Sequence, residues 1–205
     1  MKQVTSGKSK IFLIAFFNCI LLSIFLHGQP SYSIPGRLYR SIEETSLNPD
    51  SVTRIRLKGK KLKRIPPEVY GFKNLRELDL RKNRITSLND SLALIEKLEV
   101  LRLSRNQIHF LDNSINKLKN LKYLDLGMNP LKSMPNALIN LHNLEFLEIW
   151  GTEITSFPNH AGEGNMNLKW LDMRNILLTQ SEKEEIKNLF PKAIIYFSEG
   201  CNCAK

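Results

Sequence analysis

From Val52 onward, apolar residues return in a fixed pattern every 23 residues. Leu75, Leu78, Leu80, Asn83, Ile85, Leu88, Leu92 and Ile95 make one unit. Leu98, Leu101, Leu103, Asn106, Ile108, Leu111, Ile115 and Leu118 make the next, and Leu121, Leu124, Leu126, Asn129, Leu131, Met134, Leu138 and Leu141 the third. Within each unit the second and third Leu flank one polar or charged residue, the period of a strand. The Asn closes that strand at a bend, where its amide can serve backbone groups left unpaired. The spacings that follow suit a 3₁₀ or short helical return. No unit can bury its leucine face alone. Stacked units bury one continuous core, and both ends need caps.

The flanking units are weaker. Val52, Ile55, Leu57, Leu62, Ile65, Val69 and Phe72 form a first unit with Lys60 in place of the Asn. Leu144, Leu147, Ile149 and Ile154 begin a fifth, with Thr152 at that position, and it runs one residue long through Asn159–Gly164. Leu168, Leu171, Met173 and Leu178 begin a partial sixth. Ser41-Ile-Glu-Glu44 reads as a capping box opening a short helix that stops near Asn48-Pro49. Ser181-Glu-Lys-Glu184 reads as a second, opening a helix from about Glu182 to Phe190 before Pro191, with a last strand over Ala193–Phe197.

The pattern L-x-x-L-x-L-x-x-N-x-L resembles the leucine-rich repeat signature, whose period lies between about 20 and 29 residues. The resemblance covers roughly residues 52–198. It implies an α/β leucine-rich repeat solenoid: a right-handed horseshoe arc with parallel strands on the concave face, 3₁₀ or short helical turns on the convex side, and helical caps. Residues 34–51 would form the N-terminal cap, 52–180 about six repeats, 181–198 the C-terminal cap and 199–205 a tail. The terminal helix-Pro-strand is similar to the end cap of many bacterial members. A cysteine cap of the kind common in extracellular animal and plant members is excluded at the first unit, which has no Cys nearby.

Residues 1–33 read as targeting rather than fold. Lys2, Lys8 and Lys10 precede an apolar run of 16 residues, Ile11–Leu26, followed by small residues Gly28, Ser31 and Ser33. A spanning helix needs about 20. A cleaved secretory signal is the first expectation and a retained anchor the alternative; location is then secreted or in the cell envelope. Loss of the segment lowers net charge from +10 to +7. The remaining excess weakly favours anionic partners, against a simple solvated surface. Cys201 and Cys203 would be the remaining cysteines. A bridge between them would be strained, and nearby metal ligands are lacking, which leaves free or intermolecularly oxidised thiols.

Solenoids bind through their strand face. One outward column runs Arg54, Glu77, Val100, Tyr123, Phe146, Trp170. The central column runs Arg56, Asp79, Arg102, Asp125, Glu148, Asp172, and a third Lys58, Arg81, Ser104, Gly127, Trp150, Arg174. The expected binding surface combines Tyr123, Phe146, Trp150 and Trp170 as an exposed aromatic cluster with Asp125, Glu148 and Asp172 between them. Arg56, Arg81 and Arg102 lie on the other half. Against this, strands favour aromatics anyway and the end cap could cover Trp170. The face measures about 29 Å by 17 Å, on the order of 500 Å² against the usual ~800 Å² per partner, which suits a peptide or one edge of a domain.

The partner class is therefore a protein or peptide, basic or apolar, with the chain itself a monomer. Nucleic acid is not expected, nor membrane contact unless the N-terminal segment stays. A membrane-tethered scaffold and a carbohydrate binder are the alternatives. Asn83, Asn106 and Asn129 are expected to form a structural ladder. No enzyme is expected. His109, His142 and His160 fall in different units without a nucleophile, the sequence holds no phosphate loop or zinc motif, and no burial is foreseen that would raise the pKa of a strand-row acid. Neither a cofactor nor a metal is called for.

Overall fold

A computed structural model describes residues 32–45, 48–111, 113–134, 138, 140–155, 157 and 167–198. The expected targeting segment as far as residue 31, the Asn159–Gly164 insertion with His160, and the tail with Cys201 and Cys203 lie outside them. The unit discussed below begins at Ser33.

Eight short strands form one sheet in chain order, each parallel to the next. They are β1 (Leu38–Tyr39), β2 (Arg54–Arg56), β3 (Glu77–Asp79), β4 (Val100–Arg102), β5 (Tyr123–Asp125), β6 (Phe146–Glu148), β7 (Trp170–Met173) and β8 (Ile194–Phe197). The register places Leu78, Leu101, Leu124, Leu147 and Leu171 side by side. With Leu80, Leu103, Leu126 and Ile149 they are fully buried, at roughly 1.5–3 kcal/mol of burial per side chain. The returns fold as 3₁₀ turns at Pro67–Gly71, Asp90–Leu94 and Asn113–Lys117. Each tucks one apolar residue, Val69, Leu92 or Ile115, under the sheet.

The strand exits are held by side-chain amides. Asn106 Nδ2 donates to the carbonyls of Leu80 (3.0 Å) and Leu103 (2.8 Å), while its Oδ1 accepts from Ile85 N at 3.0 Å. Asn83 and Asn129 repeat the arrangement one unit before and after. Thr152 donates to Ile149 O, and Lys60 is exposed. A second amide series, not anticipated, precedes the first Leu of the units. Asn74, Asn120, Asn143 and Asn167 each donate to a carbonyl of the preceding unit. The spacing of 23 or 24 was legible; Lys97 at the intervening position obscured it.

The residue before the ladder position takes a left-handed backbone in successive units: Gly59, Lys82, Arg105, Met128 and Gly151, then Asn175. For a non-glycine residue that costs about 1–2 kcal/mol. The geometry lets each N–H reach the next coil: Lys82 N donates to Ser104 O, Arg105 N to Gly127 O and Met128 N to Trp150 O.

Both ends differ from the sequence expectation in detail. The terminal helix α1 spans Gln180–Leu189, and its capping box is Thr179 with Glu182, not Ser181 with Glu184. Thr179 Oγ1 accepts from Glu182 N, and the Glu182 carboxylate returns the bond to Thr179 N. Two overlapping T/S-x-x-E phrases compete here. The earlier one wins because it starts the helix directly after Leu178, which packs on the core. At the other end a 3₁₀ turn covers Glu43–Thr45, and Pro49 opens a second over Pro49–Ser51 instead of stopping the first, with Asn48 as its cap. Glu44 N donates to Ser41 Oγ, but the Glu44 carboxylate accepts from Arg40 N, one residue short of a closed box. Strand β1, unforeseen, adds Leu38–Tyr39 to the sheet edge.

Candidate functional site

The face of the sheet turned away from the leucines carries the three columns in register. Arg56, Asp79, Arg102, Asp125, Glu148 and Asp172 stand side by side, with Tyr196 beyond. Adjacent strands lie about 4.8 Å apart. At that spacing the side chains shield one another, so the charges of this face are largely buried: Glu77, Asp79, Arg102, Asp125, Glu148 and Asp172 are each under a tenth exposed.

The N-terminal half is neutralised internally. Glu77 accepts from Arg54 Nε at 2.8 Å and Arg102 Nη1 at 2.5 Å, and from Ile34 N at 3.3 Å. Asp79 takes a two-pronged contact from Arg81, at 2.9 and 2.7 Å, with Arg56 Nε at 3.2 Å. Burial pushes the Asp79 carboxyl up, but the Arg81 hydrogen bonds and charge outweigh it and leave the carboxyl below its ordinary range. Arg56, Arg81 and Arg102, expected to face a partner, are thus engaged with this chain's own acids.

The C-terminal half is different. Asp125 accepts from the Ser104 hydroxyl at 2.6 Å and from Gly127 N at 3.1 Å. Glu148 accepts from the Tyr123 hydroxyl at 2.6 Å. Among the described residues neither forms an ion pair; Asp172 does, with a two-pronged Arg174 at 2.9 and 2.6 Å. Burial, then the charge of Asp125, lifts the Glu148 carboxyl to about 7. Burial also raises Asp125, only partly offset by Ser104. Both corrections run against the sequence expectation, which foresaw no acid raised by burial. The signal was present: three successive acids in one column where the N-terminal half alternates.

The aromatic cluster is also rearranged. Tyr123 and Trp170 are buried, not exposed. Tyr123 lies under the Arg102 guanidinium, 5.0 Å from its ring centre, and beside Phe146 at 6.3 Å. Trp170 stacks at 4.2 Å on Tyr196 of β8, so the end cap does cover it. Phe146 and Trp150 stay half-exposed. The Trp150 indole occupies the space a Cβ on Gly127 would need, with the Arg105 guanidinium 5.5 Å from its ring. The surface that remains open is therefore narrower than expected: Phe146 and Trp150 around Asp125 and Glu148. Among the described residues no group of three or more His, Cys, Asp or Glu is arranged to hold a metal ion.

The sequence family described as leucine rich repeat matches residues 50–108 and again 96–154. The chain belongs to the leucine-rich repeat family. Such domains are generally non-enzymatic and serve protein binding. None of the curated proteins matches the chain. Among solved structures, a leucine-rich repeat protein of Leptospira interrogans is similar, with a TM-score of 0.65 and 22% identity over 80% of this chain and 48% of that one. The chain thus spans about half the length of that protein, and at this identity the likeness speaks for the fold.

Proposed function

We propose that this leucine-rich repeat chain is an exported, non-enzymatic, protein-binding module of bacterial type, and that it engages a basic segment of its partner on the C-terminal half of the strand face. One observation carries the reading: two buried carboxylates, Asp125 and Glu148, lack an ion-pair partner within the described chain and are rimmed by half-exposed Phe146 and Trp150. An unpaired carboxylate held in a low-dielectric site is costly, and a guanidinium or ammonium from a partner relieves that cost. The aromatic rim supplies the apolar contact that interface anchors use. Sugar stacking is less favoured, because Trp170 lies beneath Tyr196 and leaves Trp150 without a paired platform.

The test is site-specific photo-crosslinking in the native host from position 146, with position 97, exposed in the turn before β4, as control. A protein adduct from 146, absent from 97 and lost in Trp150→Ala, supports the reading; equal adducts from both positions contradict it. Affinity for that partner should strengthen as pH rises through about 7, where Glu148 gains its charge. Intact mass of the recovered protein bears on export. Loss of about 28–33 N-terminal residues, the span of the expected targeting segment, supports a secreted or envelope module. A full-length mass in the membrane fraction makes the chain a tethered scaffold.

A further inference from the structure

The strand exits and turns form one edge of the repeat stack, distinct from the strand face. Backbone hydrogen bonds hold this edge in register: Gly59 N to Arg81 O, Lys82 N to Ser104 O, Arg84 N to Leu62 O and Gln107 N to Ile85 O. In the first two units it carries Lys61, Lys63, Arg64, Lys82 and Arg84, all exposed. Among the described residues none of these five forms an ion pair. The opposite edge, where the strands begin, is built differently. There Arg76, Glu99, Lys122, Glu145 and Lys169 alternate, with Arg76 and Lys122 both paired to Glu99, and Lys169 to Glu145. The turn edge of the first units thus carries a cluster of exposed cations, while Lys73, Lys97 and Lys119 stand exposed and spread out on the opposite edge.

Farther along, the same edge turns apolar. Phe110 is 60% exposed, Met128 43% and Leu177 96%. Each stands in a column that carries a basic residue in one or both of the first two units. Phe110 follows Arg64 by two repeats, Met128 follows Lys82, and Leu177 falls two residues after the left-handed Asn175, where Lys61 and Arg84 follow Gly59 and Lys82. Glu153 is an exposed acid on this edge.

We propose that this turn edge docks on the surface of an anionic phospholipid bilayer. Lysines dominate the basic end, and lysine is a compact hydrated charge suited to a diffuse anionic layer rather than to two-pronged recognition. Basic residues near such a surface attract it additively. The exposed Phe, Met and Leu supply the second signal that stable peripheral attachment requires. The apolar run Ile11–Leu26 precedes the first unit in sequence, so the basic end of the edge is the one nearest in the chain to the expected targeting segment. A single-stranded nucleic acid is the weaker fit, since base stacking calls for several interleaved aromatics and Phe110 alone is a large exposed aromatic among the described residues of this edge.

The experiment is co-sedimentation of the full chain with vesicles of phosphatidylcholine alone and of phosphatidylcholine mixed equally with phosphatidylglycerol. Lys2, Lys8 and Lys10 ahead of the apolar N-terminal run add their own preference for anionic vesicles, so the change between the wild-type chain and the edge variants is what reports the edge. The wild-type chain should prefer the anionic vesicles, and the preference should fall with salt. Lys61→Gln, Lys63→Gln and Arg64→Gln together should cut the preference on the order of a hundredfold, while the same positions changed to Lys or Arg keep it. Phe110→Ser with Leu177→Ser should weaken retention on anionic vesicles by about tenfold. Unchanged circular dichroism shows that each variant folds. Equal binding to both vesicles, or a preference that survives the triple change, overturns the proposal. So does duplex DNA binding that needs these residues while the vesicles are not discriminated.

Discussion

Arg54 to Arg102 and Asp125 to Asp172 stand in the same columns of one sheet, on the same backbone, yet their charges are resolved in opposite ways. In the first half acids and bases alternate at strand spacing, and each acid finds a cation: Glu77 takes Arg54 and Arg102, Asp79 takes Arg56 and Arg81. In the second half three acids run in sequence and one of them, Asp172, is paired. The carboxyl of Asp79 is held low, whereas that of Glu148 is lifted to about 7. Burial is similar in both, so the sign of the neighbours decides. A repeat scaffold fixes where a side chain stands, and the residue one period away decides whether its charge is paired from within.

Asn106→Leu acts on the amide ladder that both halves share and strands three buried hydrogen bonds. It should lower stability by about 3–5 kcal/mol, read as a chemical-unfolding midpoint; no change would remove the ladder from the account. Arg102→Met acts on the paired half. It leaves Glu77 with Arg54 alone and uncovers Tyr123, and should cost about 3 kcal/mol. Glu148→Gln, on the unpaired half, should act in the opposite direction. The folded carboxyl near 7 lies above its ordinary 4.5. The native state thus holds a proton that the unfolded chain releases first, and stability falls as pH rises from about 4.5 to 7. Removing the group should raise stability at pH 8 by up to about 3 kcal/mol, change little at pH 4, and flatten the slope between. A loss at pH 8 would mean that Glu148 is already satisfied.

Smaller effects sharpen the picture. Gly127→Ala should displace the Trp150 indole from its seat, costing about 1–2 kcal/mol. Because Trp170 is buried, the red shift of tryptophan emission would report Trp150. Lys82→Gly removes the strain of a left-handed lysine and should change stability by less than about 1 kcal/mol, in the stabilising direction, as the gain is offset by unfolded-chain entropy.

Much of the fold was legible because the repeat states its own register. Leucine spacing placed β2 to β7 and the columns, and the Asn positions marked the ladder. Strand β1 was hidden because Leu38–Tyr39 is two residues long and outside the period. The capping box was misplaced because Thr179 and Ser181 each precede a Glu by three residues, and packing of the preceding Leu178 chose between them. The site was less legible. Column reading found Tyr123 and Trp170 on the right face, but exposure depends on lateral neighbours: Arg102 and Phe146 close over the first, Tyr196 over the second. The raised Glu148 was readable in principle from three acids in one column, once strand spacing is taken as strong enough to bury them.

The most direct test is a carbon-detected NMR titration of the carboxyl groups of Asp79 and Glu148 in the intact protein. Glu148 should titrate near 7 and Asp79 below its ordinary value of 3.8. If both titrate together in the ordinary carboxylate range, the two halves of the strand face are electrostatically alike and the C-terminal half has no special claim to a basic partner.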